Sequence, residues 1–185
     1  GVGGGICIDQ TILTGLNSIC GEWGHNPLPW PCDSEDVHEL EGINCYCGRR
    51  SCIETFLSGE GLRRSYAELS NRELQYSPSA AEIYKISRQG ETIANRAIEL
   101  YASRLAKSLA TVINIIDPSI IVLGGGLSNI EFLYQRVPQL WSQWIFSDKT
   151  KTKLVKNQHG DSSGVRGAAR LWSDPDKEGL KSGDI

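Results

Sequence analysis

Three cysteines lie within eight residues of one another, in the segment Cys45-Tyr46-Cys47-Gly48-Arg49-Arg50-Ser51-Cys52. Cys45 and Cys47 are too close for a comfortable disulfide, because side chains at positions i and i+2 rarely reach the required geometry. Thiolates that converge on a tight glycine-containing turn suit a tetrahedral ion, and zinc in a structural site takes four nitrogen or sulfur ligands. The segment therefore predicts a zinc-binding loop, with three reduced core cysteines and no metal as the alternative.

The predicted zinc site needs a fourth ligand. The candidates are His25, Cys32, His38 and His159. We favour His25, because it follows Gly21-Glu22-Trp23-Gly24, where two glycines allow the backbone to turn sharply and present the imidazole. Cys7 and Cys20 stand beside isoleucines and are expected to be ordinary core residues. The favoured metal set is thus His25, Cys45, Cys47 and Cys52.

Two carboxylates flank the candidate ligands. Glu22 precedes His25 by three residues, and Glu54 follows Cys52 by two. A metal would bring both into one neighbourhood, where carboxylates suit hydrogen bonding to the hydroxyl groups of a polyol. Each glutamate alone could equally be a surface residue or a helix cap.

Two glycine clusters stand far apart in the chain, Gly1-Val2-Gly3-Gly4-Gly5 and Gly124-Gly125-Gly126. Glycine allows backbone N–H groups to approach a phosphate closely. Neither cluster matches the Gly-x-x-x-x-Gly-Lys-Ser/Thr loop or the dinucleotide fingerprint, and tight turns would explain either cluster alone. Together, in a chain that alternates helices and strands, they favour a nucleotide site.

The clearest predicted element is a long helix over residues 91–116, whose apolar residues recur every three or four positions and which Asp117-Pro118 ends. Residues 120–123 predict a buried parallel strand. The acidic segment 32–44 is expected to be a solvent-exposed excursion. The other predicted elements begin with a hairpin of residues 3–8 and 11–14 and an irregular loop over 15–31. A helical segment is predicted over 53–70, interrupted by Gly59 and Gly61, and Ser77-Pro78-Ser79 is a start signal for a helix that ends near Gly90. The last predicted elements are a helix capped by Ser128 or Asn129 and broken or restarted at Pro138 on its way towards Trp144, a strand over 153–157 and a terminal helix over 160–172. The order predicts an α/β domain.

Within this chain, composition gives no sign of a nucleic-acid-binding surface or of a membrane helix. The net charge is -3 and the isoelectric point is about 5.7, which gives no basic footprint for nucleic acid. No apolar run approaches the roughly 20 residues of a membrane helix. The chain contains no methionine, so we expect it to be part of a longer protein. Residues 173–185 are charged and are expected to form a loose tail.

The motifs together resemble a known family. Gly21–His25, followed by Cys45–Glu54, resembles the zinc-and-sugar signature of the ROK family of sugar kinases and sugar-responsive repressors. Gly124-Gly125-Gly126 after Asp117-Pro118 resembles that family's adenosine-side motif, and Gly1–Gly5 its second phosphate loop. The resemblance covers residues 1 to about 172. Ser51 departs from it, because the family usually has glycine there, and a serine would strain the turn if its φ is positive.

The resemblance implies an α/β, actin-like (ribonuclease-H-like) ATPase fold, with residues 1–172 as the larger C-terminal lobe and residues 21–54 as its zinc loop. It implies ATP with Mg²⁺, a hexose acceptor, a structural Zn²⁺, a homodimer and a cytoplasmic location. The implied metal ligands are His25, Cys45, Cys47 and Cys52. The implied sugar-binding residues are Glu22, His25 and Glu54, and the implied nucleotide-binding residues are Gly1, Gly3, Gly4, Gly124, Gly125 and Gly126.

Within the family, three parts of the sequence look most like bacterial fructokinases: residues 22–30, Tyr46 and residues 159–167. This resemblance implies phosphorylation of D-fructose to D-fructose 6-phosphate. The alternatives are a sugar-responsive repressor and a kinase for glucose, mannose or an N-acetylhexosamine. No acidic residue here matches the family's catalytic base, which is expected upstream of Gly1, so we expect this chain alone to phosphorylate no sugar. The expected dimer surface comprises the apolar face of 91–116, Trp141 and Trp144.

Overall fold

The computed structural model describes residues 1–34, 37–160 and Arg166. The helices are α1 (Ile53–Leu57), α2 (Gly59–Leu69), α3 (Ala80–Arg88), α4 (Thr92–Ile116) and α5 (Phe132–Trp141). The strands are β1 (Cys7–Ile8), β2 (Thr11–Ile12), β3 (Asp33–Ser34), β4 (Val37–His38), β5 (Ile120–Leu123) and β6 (Lys153–Lys156). Short 3-10 helices span Trp23–His25, Leu74–Tyr76 and Gly126–Asn129.

Helix α4 forms the centre of the core, and the other four helices pack against it. The predicted face is present, with Ala97, Leu105 and Leu109 all buried. The Glu91 carboxylate accepts hydrogen bonds from the first N–H groups of the helix. Asp117 ends it in the left-handed conformation, at φ 47°. The predicted long helix over 91–116 is therefore confirmed.

The break between α1 and α2 lies at Ser58, one residue before the predicted interruption at Gly59. The Ser58 hydroxyl accepts a hydrogen bond from the Gly61 N–H and so caps α2. A side chain at Gly61 would have its Cβ 2.4 Å from the Phe56 carbonyl oxygen, so only glycine fits this junction. Helix α3 begins with the predicted signal, because Ser79 and Glu82 form a reciprocal capping box.

Strands β5 and β6 form a two-stranded parallel sheet. Among the described strands β5 pairs with β6 alone, and Ile120 and Val122 are 51% and 58% exposed. The prediction that β5 is buried on both faces is therefore wrong. Alternate side chains of a strand point to opposite faces, and only the face carrying Ile121 and Leu123 packs on the core.

Helix α5 differs from its prediction at its start and at Pro138. A 3-10 turn precedes it, and the residue before the helix is Glu131, which makes no side-chain cap, rather than Ser128 or Asn129. Pro138 lies inside the helix and does not break it, although it leaves one carbonyl without its helical donor. Buried Val137 and Trp141 on either side of Pro138 explain this, because their packing holds the helical course.

The predicted hairpin is present as β1 and β2, and its turn residues Asp9 and Gln10 both have positive φ. Cys7 is exposed and Cys20 is half-buried, so the prediction that they are core residues is wrong. The hairpin pairs only with itself among the described strands, which leaves its side chains without a second layer. The predicted terminal helix over 160–172 and the tail over 173–185 lie outside the described residues, apart from Gly160 and Arg166.

Two tryptophans expected at a dimer surface pack against other residues of the same chain. Trp141 is buried in the core. Trp144 stacks on Trp30, with ring centroids 4.9 Å apart and planes inclined by 26°. The homodimer therefore stays a prediction without these two side chains to support it. Within the described part of the chain, no helix is both long enough and apolar enough for a bilayer crossing.

The described side chains of the acidic segment over 32–44 are mostly exposed, as its charge predicted, and Glu39 is the exception. Glu39 is only 2% exposed, and its carboxylate pairs with Arg104 and Lys107 of α4. A buried carboxylate needs such partners, because an isolated charge in the interior loses its hydration without compensation. The segment is thus attached to the helical core at Glu39.

Candidate metal and sugar site

Four candidate ligand side chains converge at one point. The ligand atoms of His25, Cys45, Cys47 and Cys52 all lie within 4.8 Å of one another. The Cys45 Sγ lies 3.7 Å from the His25 Nδ1, and the Cys47 Sγ lies 3.6 Å from the Cys52 Sγ. Tetrahedral zinc, with its usual bond lengths to sulfur and nitrogen, would separate its ligand atoms by about 3.6–3.8 Å. The donor set therefore fits Zn²⁺ in its chemistry, and these two separations match the spacing that the ion requires.

The favoured fourth ligand is the one that the structure brings to the cysteines. Cys32 lies elsewhere, with its Sγ 3.6 Å from a carboxylate oxygen of Glu39. His159 is exposed and is not part of the cluster. The side chain of His38 lies outside what the structure describes. Among the described side chains, His25 completes the set.

Local backbone structure presents each ligand. His25 ends a 3-10 turn, and Cys52 stands at the residue before α1. Between Cys45 and Arg49 the chain forms a tight turn, in which the Cys45 N–H donates to the Arg49 carbonyl at 2.8 Å and the Gly48 N–H donates to the Cys45 carbonyl at 3.0 Å. Gly48 has a φ of 86° at this turn, which glycine adopts without strain.

Backbone hydrogen bonds tie the two halves of the cluster together independently of any ion. The Ile53 N–H donates to the Asn26 carbonyl at 2.9 Å, and the Leu28 N–H donates to the Ser51 carbonyl at 2.7 Å. These bonds place the residue after His25 beside the residue after Cys52. The metal site is thus partly formed by the fold itself.

Ser51 has a φ of 58°, in the left-handed region that favours glycine. The family usually has glycine at this position, and the positive φ means that the serine strains the turn. Its hydroxyl oxygen also occupies the space beside Gly42, where an added Cβ would lie 2.3 Å away. The ligand atoms of Cys47 and Cys52, on either side of Ser51 in the sequence, both belong to the cluster.

The thiols of the cluster differ in acidity. A backbone hydrogen bond from Arg49 lowers the pKa of the Cys47 thiol to about 7, with further contributions from Cys45, Cys52 and His25. Burial raises the pKa of the Cys52 thiol to about 12. Ligand thiols bind metals as thiolates, so proton release accompanies metal binding at this site.

Glu54 connects the metal turn to the first glycine cluster. Its Oε2 accepts a hydrogen bond from the Val2 N–H at 2.7 Å. The glycine cluster also packs on the segment before His25. The Trp23 indole N–H donates to the Gly3 carbonyl at 3.1 Å. The backbone at Gly24 approaches Val2 so closely that an added Cβ would lie 2.0 Å from the Val2 carbonyl oxygen. The structure therefore brings Gly1, Gly3 and Gly4 to the predicted sugar site.

His25 has a different neighbour at each ring nitrogen. Its Nδ1 faces Cys45, and its Nε2 lies 3.0 Å from the Tyr46 hydroxyl. The negative charge of Glu54 raises the pKa of Tyr46, and Glu22 adds to the effect. Both predicted carboxylates thus act on one phenol, although Glu22 itself is exposed and Glu54 is half-buried.

A cavity of about 290 Å³ adjoins Glu54 and Cys45. Asn44 and Arg64 also line it, and neither was predicted to take part. The position of Asn44 beside a ligand was a usable signal. Arg64 lies on α2, and no sequence pattern marks it. The second glycine cluster, Gly124–Gly126, is exposed and follows the carboxyl end of β5, where added Cβ atoms would meet nothing within 4 Å.

The ROK family profile matches residues 1–175. The N-acetyl-D-glucosamine kinase of Photobacterium profundum is 37% identical over 171 residues, which are 92% of this chain and 55% of that protein. That of Yersinia enterocolitica is 36% identical over 173 residues, again 92% and 55%. The chain spans about half the length of the curated relatives it matches.

Solved structures show the same fold. A ROK glucokinase from Streptomyces griseus, in complex with glucose and AMPPNP, superposes with a TM-score of 0.78 at 24% identity, over 91% of this chain and 56% of that one. A ROK transcriptional regulator, a homolog of the E. coli MLC protein, gives 0.67 at 26% identity, over 84% and 39%. The chain belongs to the ROK family and has its α/β, actin-like ATPase fold.

Proposed function

We propose that this chain is the sugar-binding and metal-binding lobe of an ATP-dependent hexose kinase. The hydrogen bond between Glu54 and the Val2 N–H carries the proposal, because it joins the predicted sugar residues to a glycine cluster suited to phosphate. A phosphoryl transfer requires an acceptor hydroxyl beside the phosphate that it receives. The reported relatives are named as sugar kinases, which supports the proposed kinase function.

In the proposed site, Glu22, His25 and Glu54 bind the hydroxyl groups of the sugar. His25 would bind zinc through Nδ1, which leaves Nε2 for a hydroxyl in the position that Tyr46 occupies here. The second oxygen of Glu54 is available for another, since Oε2 holds the Val2 N–H. Hydrogen bonds to an ionised carboxylate contribute about 1.5–3 kcal/mol each.

Phosphate binding would use backbone N–H groups of Gly1, Gly3, Gly4 and Gly124–Gly126, together with Mg²⁺ on ATP. Catalysis of this kind depends on holding the acceptor oxygen in line with the transferred phosphoryl group and on compensating its charge. None of the described residues is assigned as the base that takes the hydroxyl proton. His25, Cys45, Cys47 and Cys52 would hold a Zn²⁺ whose contribution is structural, since four protein ligands leave it no open position.

The identity of the hexose has two candidates. The sequence motifs of residues 22–30 and 159–167, with Tyr46, resemble fructokinases and favour D-fructose. The reported relatives are named for N-acetyl-D-glucosamine and give no support to fructose. We keep D-fructose as the first sugar to test and N-acetyl-D-glucosamine as the second, and we keep the homodimer as part of the proposal.

A sugar-responsive repressor is the second candidate function, because a ROK transcriptional regulator shares the fold at 26% identity.

The complete natural protein should be assayed with ATP, Mg²⁺ and each of fructose, N-acetylglucosamine, glucose and mannose. We expect ATP-dependent phosphorylation with one sugar preferred by at least about tenfold in kcat/KM, the factor that about 1.4 kcal/mol gives. Sugar-dependent DNA binding without phosphorylation of any of the four would establish the repressor instead.

A further inference from the structure

One carboxylate and two cations are buried together beneath the segment that joins His25 to Cys45. Glu39 is 2% exposed, and Arg104 and Lys107 are each 3% exposed. The Arg104 Nε donates to the Glu39 Oε1 at 2.8 Å, and the Lys107 ammonium donates to the Oε2. We call these three side chains the clasp. Burial alone would raise the pKa of Glu39, but the hydrogen bonds from both cations lower it, so Glu39 is ionised.

The clasp holds the segment at more than one point. Lys107 also donates to the Trp30 carbonyl at 3.0 Å, and the Cys32 N–H donates to the Glu39 Oε2 at 3.1 Å. The Asp33 carboxylate accepts from the Glu39 N–H at 2.7 Å and so shapes the turn that directs Glu39 inward. The middle of the segment is therefore bound to α4.

The other side of the clasp reaches the helices next to the metal turn. Arg104 donates to the Ser65 hydroxyl of α2 at 2.7 Å. Its guanidinium lies 4.9 Å from the ring centroid of Phe56, on α1, two residues after Glu54. One buried group of charges thus connects the segment to the helix that carries a predicted sugar-binding residue.

The ends of the same segment are attached to the metal turn. Pro27 forms an isolated β-bridge with Cys52, and Asn44 forms another with Arg50. Residues 26–44 therefore form a loop whose ends must meet for His25 and Cys45 to bind one ion. The entropic cost of closing a loop rises with its free length, so fixing its middle lowers the cost of bringing the ligands together.

Buried ion pairs are an expensive way to stabilise a fold, because desolvation offsets most of the attraction. Two cations for one carboxylate leave an excess positive charge, which makes this cluster less favourable still. A role in specifying one arrangement of the loop explains the clasp better than a role in overall stability does.

We propose that Glu39, Arg104 and Lys107 are positioning residues that hold the metal and sugar loop in its binding conformation before the ion binds. This proposal rests on the metal site of the proposed function. It requires that the clasp act on the loop rather than on the whole fold. Amide exchange in metal-free protein measures that action without sugar, ATP or zinc.

The first variant is Lys107→Met in the complete protein. It keeps the length of the side chain and leaves Glu39 and Arg104 as a balanced pair. After the metal is removed with a chelator, hydrogen exchange is followed at the N–H groups of Leu28, Ser51 and Ile53, whose backbone hydrogen bonds join the loop of residues 26–44 to the segment that follows the metal turn. We expect exchange at least about tenfold faster than in the parent protein, as for a segment whose local opening has become easier.

The matched control is Leu133→Ala on α5, a buried core position away from the loop in the sequence. Both variants are compared at the denaturant concentrations that equalise their global stability. We expect loop exchange in Leu133→Ala within about twofold of the parent protein, and recovery of parental protection in Lys107→Arg, which restores the cation. Equal acceleration in Lys107→Met and Leu133→Ala, or none in Lys107→Met, overturns the proposal.

A second readout is zinc release to an excess of chelator. Lys107→Met should release zinc at least about tenfold faster than Leu133→Ala at matched stability. If Lys107→Met does not fold, Lys107→Gln replaces it, because it removes the cation while keeping Glu39 paired with Arg104 and keeping a hydrogen-bond donor near the Trp30 carbonyl. A parent protein that holds no zinc refutes the metal site, and the exchange measurement then still decides the role of the clasp.

Discussion

Glu54 accepts a hydrogen bond from the backbone N–H of Val2 at 2.7 Å, across 52 positions of sequence. Glutamine at position 54 keeps an acceptor for that N–H but removes the negative charge from the sugar side. We expect Glu54→Gln to raise the KM for the preferred hexose by about tenfold and to change the KM for ATP little.

The matched variant Glu54→Ala removes the acceptor as well, so we expect it to raise the KM for ATP in addition. Zinc content should be normal in both, because Glu54 is not a ligand. Steady-state kinetics and elemental analysis measure these effects. If both variants leave the KM for hexose unchanged, Glu54 has a structural role.

Zinc should be present at about one ion per chain in protein purified without added metal, because the four ligands form a closed set. Cys47→Ser and His25→Ala should each lose zinc. Cys32→Ser is the control and should retain it, since Cys32 contacts Glu39 instead of the cluster. Elemental analysis decides, and zinc lost from Cys32→Ser but kept in His25→Ala would show that the fourth ligand is Cys32.

Ser51→Gly should stabilise the protein. Ser51 has a φ of 58°, and a left-handed conformation costs a residue other than glycine about 1 kcal/mol. We expect the free energy of unfolding to rise by about 0.5–1 kcal/mol, part of the gain being offset by the greater freedom of glycine in the unfolded chain. Ser51→Ala keeps the strain, so it should give no gain in a urea titration.

Stability should fall in acid partly through Glu39. Its pKa is below the ordinary value of 4.5, so the stabilisation from its ionised form is complete above that value and is lost as the pH falls through the folded-state pKa. The groups that face Glu39 are Arg104, Lys107 and Cys32, and burial together with the charge of Glu39 raises the pKa of the Cys32 thiol. Glu39→Gln/Lys107→Met should therefore show a shallower loss of unfolding free energy below about pH 4.5 than the parent protein. Identical slopes would mean that Glu39 does not titrate with folding.

The metal quartet and helix α4 could be predicted because their signals are local. Three ligands lie in one turn, and the apolar face of α4 repeats every three or four residues. Glu39 could not be predicted, because its partners Arg104 and Lys107 are 65 and 68 positions away. A run of charged residues ordinarily faces solvent. Nothing in the sequence of the segment indicates that Glu39 pairs with two buried cations of α4.

The errors at Pro138 and β5 have the same origin. The propensity of proline to break a helix is real, but burial of Val137 and Trp141 outweighs it. The apolar run of β5 predicts a strand correctly. The burial of each face of that strand depends on the elements that pack against it, and the run itself does not specify them. Local rules identified these elements, and tertiary packing decided their surroundings.

The stacked indoles of Trp30 and Trp144 make this loop optically observable. Trp30 belongs to the segment whose carbonyl Lys107 binds, whereas Trp144 follows α5. Two aromatic rings at a centroid distance of 4.9 Å couple their electronic transitions, and the coupling disappears when they separate. Near-ultraviolet circular dichroism should therefore report detachment of the segment from the core in real time, in unlabelled protein and without any substrate.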